Sequence, residues 1–593
     1  MGRMRFSEFA KALEELEGVS SRNRMVELLA ELFGKLGANE IGPAIYLLQG
    51  RVAPLYEPVE FGMSGKLLVR AIARAGGVKD EEVEKLGKKM GDLGKAAEDV
   101  ASNCKSLPVG KAGNSNRENL SVEQVHGKLL EVARTGGGGS VEGKVEKVAE
   151  LLSEVDPLSA RYIVRVVLDT LRLGFSDMTM LEGLSWMIDG TKQHKDAIEK
   201  VYNIRPDLAY IAETVKAKGL SGLGHVKPTV GTPILMARGE RLTSGKDIIE
   251  KIGKCAVDAK IDGFRLQIHF NRLKGTVRLF TRNLEDATAM YPDVVAGIRE
   301  QIMAKEVIFE GEAVGYNEKT GEFLPFQETV QRKRKYGITE KALEIPLKLM
   351  CFDLLYKDGE VLLEKPYVAR REMLEKVVKK GEALRMVQQK IVETPEELEE
   401  FFQEAISRGL EGVMAKRLDG VYQAGGRGWN WIKYKRSYAG KLEDTIDAVV
   451  MGYDLGQGKR VGFGIGALLL GIYNSKKDVF ETISKMGTGL TDKEWKEMRK
   501  VLGALAVDER PRRYEVDKSQ GVDVWVKPKV VVQVRADEIT RSPVHTAGKT
   551  EEDLGYALRF PRLEIIRKDK TPEDATSAKE IGEIYKLQGR KKI

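Results

Sequence analysis

A change of apolar period near residue 225 limits how this chain can fold. Over residues 1 to about 225, apolar residues recur at three and four, the spacing of helices with one buried face. Phe6, Phe9, Leu13 and Leu16 form one such stripe, with Ser7 as the expected cap and Gly18 as the stop. Asp156-Pro157 predicts the start of another helix, running to just before Gly174. Between helices, residues 134–142 (RTGGGGSVE) read as a flexible loop. Pro228 and Pro233 then mark a boundary. Short β-type runs follow it: FRLQIHF, TVRLFTR, EVIFEGEAVGY and LKLMCFDLLY, with helical patterns near 365–380 and 395–408. From about 440 the chain is strand-rich with glycine turns, as in IDAVVMGYDL, GALLLGIY, FETISKM and PKVVVQVRAD, which suggests a small barrel. A chain of 593 residues needs more than one core. The expected division is an all-helical unit over 1–225, a mixed α/β unit over 226–438 and a β-barrel unit over 439–593.

Composition excludes several classes. A net charge of +8 spread over the chain permits a polyanionic partner without demanding one. Cys104, Cys255 and Cys351 lie far apart and outside any CxxC pair, which argues against a disulfide framework or a cysteine-rich zinc site. The five histidines form no HxxxH pair and read as structural or surface residues. The N-terminus has no apolar core of a secretory signal, and no run approaches ~20 apolar residues, so no membrane partner is expected.

Four segments carry residues suited to chemistry. In VDAKIDGFR, extension into Asp262 would project Asp258, Lys260 and Asp262 to one side, with Arg265 after the Gly263 turn. A lysine there is a nucleophile toward phosphorus only when neutral. At a reference pKa of ~10.4 about 1 in 2,500 is neutral at pH 7, a penalty of roughly 4.6 kcal/mol, so nearby cations and desolvation are expected to lower it. A surface salt-bridge cluster explains the bare string equally well. In VIFEGEAVGY, Glu310 and Glu312 share one strand face and need a metal, a cation or a sugar hydroxyl as partner. GLEGVMAK offers Glu411 and Lys416. GGRGWNWIKYK offers Arg427, Lys433 and Lys435, the two lysines on one face and suited to phosphate. Together these supply a nucleophile, metal-binding carboxylates and triphosphate-binding cations, the set that nucleotidyl transfer requires.

In order and spacing these segments resemble the ATP-dependent DNA ligases, specifically the archaeal type similar to eukaryotic replicative ligases, over nearly the whole chain. The resemblance implies that Lys260 becomes adenylylated. It places Asp258, where the family usually has glutamate, at the adenine end, and Arg265 and Arg282 (in LFTRNLEDAT) near the nucleotide. Glu312 maps to the ribose-contacting glutamate, Phe352 to the aromatic that stacks on adenine, and Glu312 with Glu411 to a metal site for Mg²⁺, with Mn²⁺ as the alternative. Arg427, Lys433 and Lys435 contact phosphates. Arg559, Arg562 and Lys570 in ALRFPRLEIIRKDK orient pyrophosphate. The resemblance also implies a helical DNA-binding domain, an adenylation domain and a C-terminal OB-fold. Taken alone, Arg161, Arg165 and Arg172 read as a solvated face; the family segment LRLGFSDMTMLEGLS makes them phosphate-contact candidates. CKSLP, from Cys104 to Pro108, stands where a QKSFF-like sliding-clamp motif belongs, without its glutamine and aromatic anchors.

The implied enzyme is a monomer in the cytoplasm, associated with the nucleoid. It seals nicked double-stranded DNA with ATP, through lysine-AMP and an adenylylated 5′-phosphate, in replication, repair and recombination. An RNA ligase or capping guanylyltransferase would share the KxDG core, but the long helical region and the RFPR segment favour DNA. A NAD-dependent ligase would need zinc-finger cysteines that are absent, and a non-catalytic scaffold would lack part of the core set.

Overall fold

The computed structural model describes residues 3–588 apart from 104–119, 138, 172, 318–320, 325, 335, 436–444 and 457–463. Helices from Phe6–Glu17 to Leu208–Lys218 pack around one apolar core that runs from Met4 to Leu223. The first helix stops at Gly18 as expected, but Arg5 holds the cap position and Ser7 lies inside the first turn. Asp156 caps Pro157–Val167 by accepting from the Ser159 N–H at 3.1 Å. That helix ends well before Gly174, because Asp169 takes a left-handed backbone (φ 53°) that a right-handed helix cannot continue. The loop expected over 134–142 is shorter, since helices Val122–Arg134 and Ser140–Glu154 close in from both sides.

The middle of the chain forms two sheets. Its strands are β1 (Arg238–Arg241), β2 (Cys255–Lys260), β3 (Phe264–Asn271), β4 (Thr276–Thr281), β5 (Glu306–Asn317), β6 (Glu322–Phe323), β7 (Leu347–Lys357), β8 (Glu360–Val361), β9 (Leu384–Met386), β10 (Gln389–Val392), β11 (Gly412–Arg417) and β12 (Arg427–Lys435). One sheet has the order β1-β12-β11-β2-β10; the other runs β4-β3-β5-β7-β8, with β6 on β5 and β9 on β7. Each sheet buries its own apolar set, Leu266, Ile268, Phe309 and Leu349 in one, Val257, Val413 and Ile432 in the other. Helices Tyr367–Val377 and Pro395–Ser407 fall where their periodicity placed them.

Strands β13 (Ile446–Asp454), β14 (Ala467–Asn474), β15 (Val479–Met486), β16 (Ala506–Val507), β17 (Tyr514–Glu515), β18 (Val524–Val526), β19 (Val531–Arg535), β20 (Glu538–Ser542), β21 (Gly555–Arg559) and β22 (Arg562–Arg567) follow. The main sheet runs β16-β18-β13-β14-β15-β17, with β19 bridging β13 and β22, while β20 and β21 form a separate pair. Helix Asp492–Gly503 closes this core with Trp495, Met498 and Leu502.

The segment leading into β1 is pinned to β3. Gln267 accepts from the Ile234 N–H at 2.7 Å and donates to its carbonyl at 3.0 Å. His269 is buried, and its Nδ1 accepts from the Gly231 N–H at 3.1 Å. Burial, and then the neighbouring Arg278 charge, push the His269 pKa down to about 3. An unfolded histidine titrates near 6.5, so between these values only the unfolded chain takes up the proton. The stability from the neutral ring is complete above pH 6.5 and is lost as pH falls through this window, at about 1.4 kcal/mol per unit. Between pH 7 and 5, wild-type protein should lose about 2 kcal/mol more than His269→Asn in urea unfolding. Parallel curves for the two proteins would refute this.

Candidate active site

Lys260 ends β2, and the chain then turns through Ile261–Gly263 into β3 of the other sheet. This switch places Lys260 in the crevice between the sheets. Gly263 is required there, because a Cβ would lie 2.3 Å from the Ala313 carbonyl oxygen. Pairing of β2, β11 and β12 sets Lys260, Gly412 and Lys435 abreast, and sets Asp258, Met414 and Lys433 abreast. Gly412 has φ 144°, and a Cβ would meet the Tyr434 carbonyl at 2.2 Å. The Glu411 N–H donates to the Lys260 carbonyl at 3.0 Å. From the second sheet, Glu312 stands opposite Arg265 and accepts from the Gly263 N–H at 3.2 Å.

These residues line a cavity of about 480 Å³ with two unlike ends. One end is cationic, with Lys260, Arg282, Lys333, Lys433 and Lys435. The other is walled by Met350, Phe352, Val387, Met414 and Trp431, with the buried polar pair Asp258 and Lys416 at 2.6 Å. An apolar slot with a few fixed polar groups suits a planar ring system, and the cationic end suits a polyanion.

Charge in the crevice is shared tightly. Glu411 is ion-paired with Lys260 through one oxygen and with Lys435 through the other. Burial works against the Lys260 charge, but the carboxylates of Glu411, Glu312 and Asp262 outweigh it and hold the pKa above the ordinary lysine value. The expected lowering of this lysine is therefore absent in this arrangement. Lys433 is pushed down, to about 8, by burial and then by Lys260, Lys435, Arg282 and Arg427, and burial also lowers Lys416 against the opposing charges of Asp258 and Asp353. Burial pushes Glu312 up to about 7, with Asp262 and Glu411 adding to it while Lys260 and Arg265 oppose it.

The expected site residues divide. Asp258, Lys260, Arg265, Arg282, Glu312, Phe352, Lys433 and Lys435 all line the cavity. Arg265 is anchored, pairing with Glu310 at 2.7 Å and donating to the Ala237 carbonyl at 2.7 Å, so the buried Glu310 has found its cation. Arg427 is exposed at the start of β12, and its pairing partner Arg238 lines the cavity instead. Arg559 reaches across from β21 to Asp262 at 3.0 Å and also holds Glu538 at 3.0 Å. With Arg562, which pairs with Asp537 at 2.7 Å, it lines a second cleft shared with Glu411 and Lys435. Lys570 does not join them: Asp447 holds it at 2.6 Å beside Arg567, on the β13 side of the sheet.

The arginine stripe of Pro157–Val167 is not a solvated face, because that helix is buried nearly all round. Arg165 is 1% exposed and pairs with Asp92 at 2.5 Å and Glu17 at 2.7 Å. Arg161 pairs with Glu98 at 2.5 Å and Glu14 at 3.1 Å. Neither is free for a phosphate. Arg172 and the CKSLP segment lie outside the described residues. Sequence reasoning noted Lys416 without placing it, although alternation from Gly412 through Met414 puts it on the cavity face. Tyr367 and Gln389, which bond to Asp258, carried no local signal.

Residues 5–185 match the family described as DNA ligase N terminus, residues 237–435 the ATP dependent DNA ligase domain, and residues 462–570 the ATP dependent DNA ligase C terminal region. The chain is 46% identical over 591 residues to a probable DNA ligase of Dictyoglomus thermophilum, covering 100% of this chain and 99% of the relative. It is 42% identical to DNA ligase 2 of Thermofilum pendens, covering 99% and 98%. The solved structure titled Pmar-Lig_PreS3 shares the fold, with a TM-score of 0.54 at 18% identity over 94% of this chain and 99% of the other.

Proposed function

This chain belongs to the ATP-dependent DNA ligases, and on that premise we propose how its own residues divide the sealing of nicked duplex DNA. The carrying observation is that Lys260 lines one cavity together with a set of cations and a set of apolar side chains. The Lys260 amine, once neutral, attacks the α-phosphorus of ATP, forming an N–P bond as pyrophosphate leaves. AMP then passes to the 5′-phosphate of the nick, and the 3′-hydroxyl displaces it. Lys433, Lys435 and Arg282 hold the phosphates, with Lys333 and Arg238 as additional cations. Arg559 and Arg562 line the second cleft, which Lys435 and Glu411 share, and orient the leaving pyrophosphate, whereas Lys570 is committed to Asp447. Phe352 stacks on the base, Asp258 reads its edge, and Glu312 holds the ribose. Arg265, braced by Glu310, keeps the Glu312 strand in register with β3.

Glu312 and Glu411 fit a hard divalent cation. Both are carboxylates beside the cationic end, and the charge of Glu312 is disfavoured by burial and by two neighbouring carboxylates, a balance that an added cation relieves. Among the described residues no group of three or more side chains forms a metal cage, which suits Mg²⁺, since it takes one or two carboxylates and completes its shell with water and phosphate oxygens. When bound, such an ion neutralises phosphate charge; Mn²⁺ has the same ligand preference.

The strand order around β13, β14 and β15, with β19 closing onto β22, supports an OB-type barrel for residues 439–593, beside the helical unit over 1–225 and the adenylation unit over 226–438. The buried free thiols Cys255 and Cys351 support an intracellular setting, and no helix among the described residues is long and apolar enough to cross a membrane. Nick sealing on a duplex with 5′-phosphate and 3′-hydroxyl ends, supplied separately with ATP, ADP, GTP and NAD, tests the assignment. ATP should support sealing and NAD should not. Sealing with NAD alone would overturn it.

A further inference from the structure

The base end of the cavity contains a buried hydrogen-bond network whose donors can be counted. The Lys416 ammonium has three protons. It pairs with Asp258 at 2.6 Å, donates to the Phe352 carbonyl at 3.3 Å and donates to the Tyr367 hydroxyl at 3.3 Å. The Gln389 amide has two, one to Asp258 at 2.6 Å and one to the Tyr367 hydroxyl at 2.7 Å. The Tyr367 oxygen accepts from both, so its own proton goes to Asp258, at 3.3–3.4 Å. Every proton of Lys416 and of the Gln389 amide is committed. Asp258 receives three donors on a carboxylate with about four acceptor positions, so among the groups that line the cavity in this network an acceptor remains and a donor does not; the buried Nη1 of nearby Arg371 has no partner among the described residues but lies outside the lining.

We infer that Tyr367, acting through Lys416 and Asp258, makes this end of the cavity select purines with a 6-amino group and refuse those with a 6-oxo group. Tyr367 is a positioning residue, and the inference rests on the reading that the base occupies this end. A 6-amino group can donate to the remaining acceptor of Asp258. A 6-oxo group would be buried facing another acceptor, and an N1–H directed at Asp258 would still leave that oxygen without a donor. Removing the Tyr367 hydroxyl releases one proton of Lys416, which lines the cavity, and so supplies the kind of donor that a 6-oxo group lacks. Removing the Gln389 amide releases none.

The test uses the full chain and transfer of label to Lys260 from α-labelled ATP, inosine triphosphate and purine riboside triphosphate, which has no 6-substituent. Wild-type protein should be labelled in the order adenosine, purine, inosine. Tyr367→Phe should raise the inosine-to-adenosine ratio by about tenfold or more, while Gln389→Ala keeps the wild-type ratio. An unchanged ratio in Tyr367→Phe that unfolds at the wild-type temperature overturns the inference. So does a wild-type protein that takes inosine as well as purine, a result that needs no variant to fold. Absence of Lys260 labelling by ATP in wild-type protein would instead remove the nucleotide reading beneath it.

Discussion

Lys260→Ala removes transfer of label from α-labelled ATP to the protein and with it ATP-driven sealing, by on the order of a thousandfold or more. No other side chain can take its place. Lys433 and Lys435 lie on the far strand of the same sheet, two positions along and directly abreast. The variant should still join a nick whose 5′-phosphate already carries AMP, because that step uses the DNA hydroxyl as nucleophile. This retained step separates loss of the nucleophile from loss of the fold. Lysine-linked AMP persisting in the variant would sink the assignment. The wild-type lysine starts as an ammonium held by Glu411, Glu312 and Asp262. Bound nucleotide and metal must therefore redistribute those carboxylates before Lys260 can react, and Arg559 already holds Asp262.

Arg165→Ala should destabilise the helical unit by about 3–5 kcal/mol, because it removes one partner of a buried ion pair. Asp92 is 6% exposed, and the variant removes the guanidinium that pairs with it at 2.5 Å, while the Gly94 N–H still donates at 2.8 Å and the Lys95 N–H at 3.4 Å. Glu17 loses the same cation. A phosphate contact predicts the opposite pattern: unchanged unfolding, weaker binding of nicked duplex and a salt dependence shallower by about one charge. Thermal unfolding and binding across a salt series decide between them. We expect the unfolding temperature to fall and the salt slope to hold.

Much of the site was legible from alternation alone. Lys433 and Lys435 share a face, Glu312 shares a face with Glu310, and Lys260 ends a strand before a glycine turn, all consequences of a period-two backbone. The helices at Tyr367–Val377 and Pro395–Ser407 were legible from the period of 3.6. The failures have a common form. The stripe of Arg161 and Arg165 has the periodicity of a solvated face, yet carboxylates from other helices cover it. Lys570 belongs to a motif but is held by Asp447 from a different strand. Nothing near Tyr367 or Gln389 in sequence marks them as partners of Asp258, because they approach it from a helix start and a neighbouring strand.

By itself the sequence determined which residues stand on which face of each strand, with Lys260 at the end of one strand and Lys433 and Lys435 together on one face of another. Local backbone geometry sets those relations, and neighbouring residues encode it. Only the tertiary structure decided which charges meet. Arg559 reaches Asp262 across 297 positions of chain, and Lys416 completes its hydrogen bonds with Asp258, Phe352 and Tyr367. Ionisation and hydrogen-bond saturation depend on distance and burial through space. That is why the sequence located the lysine and the fold alone set its proton.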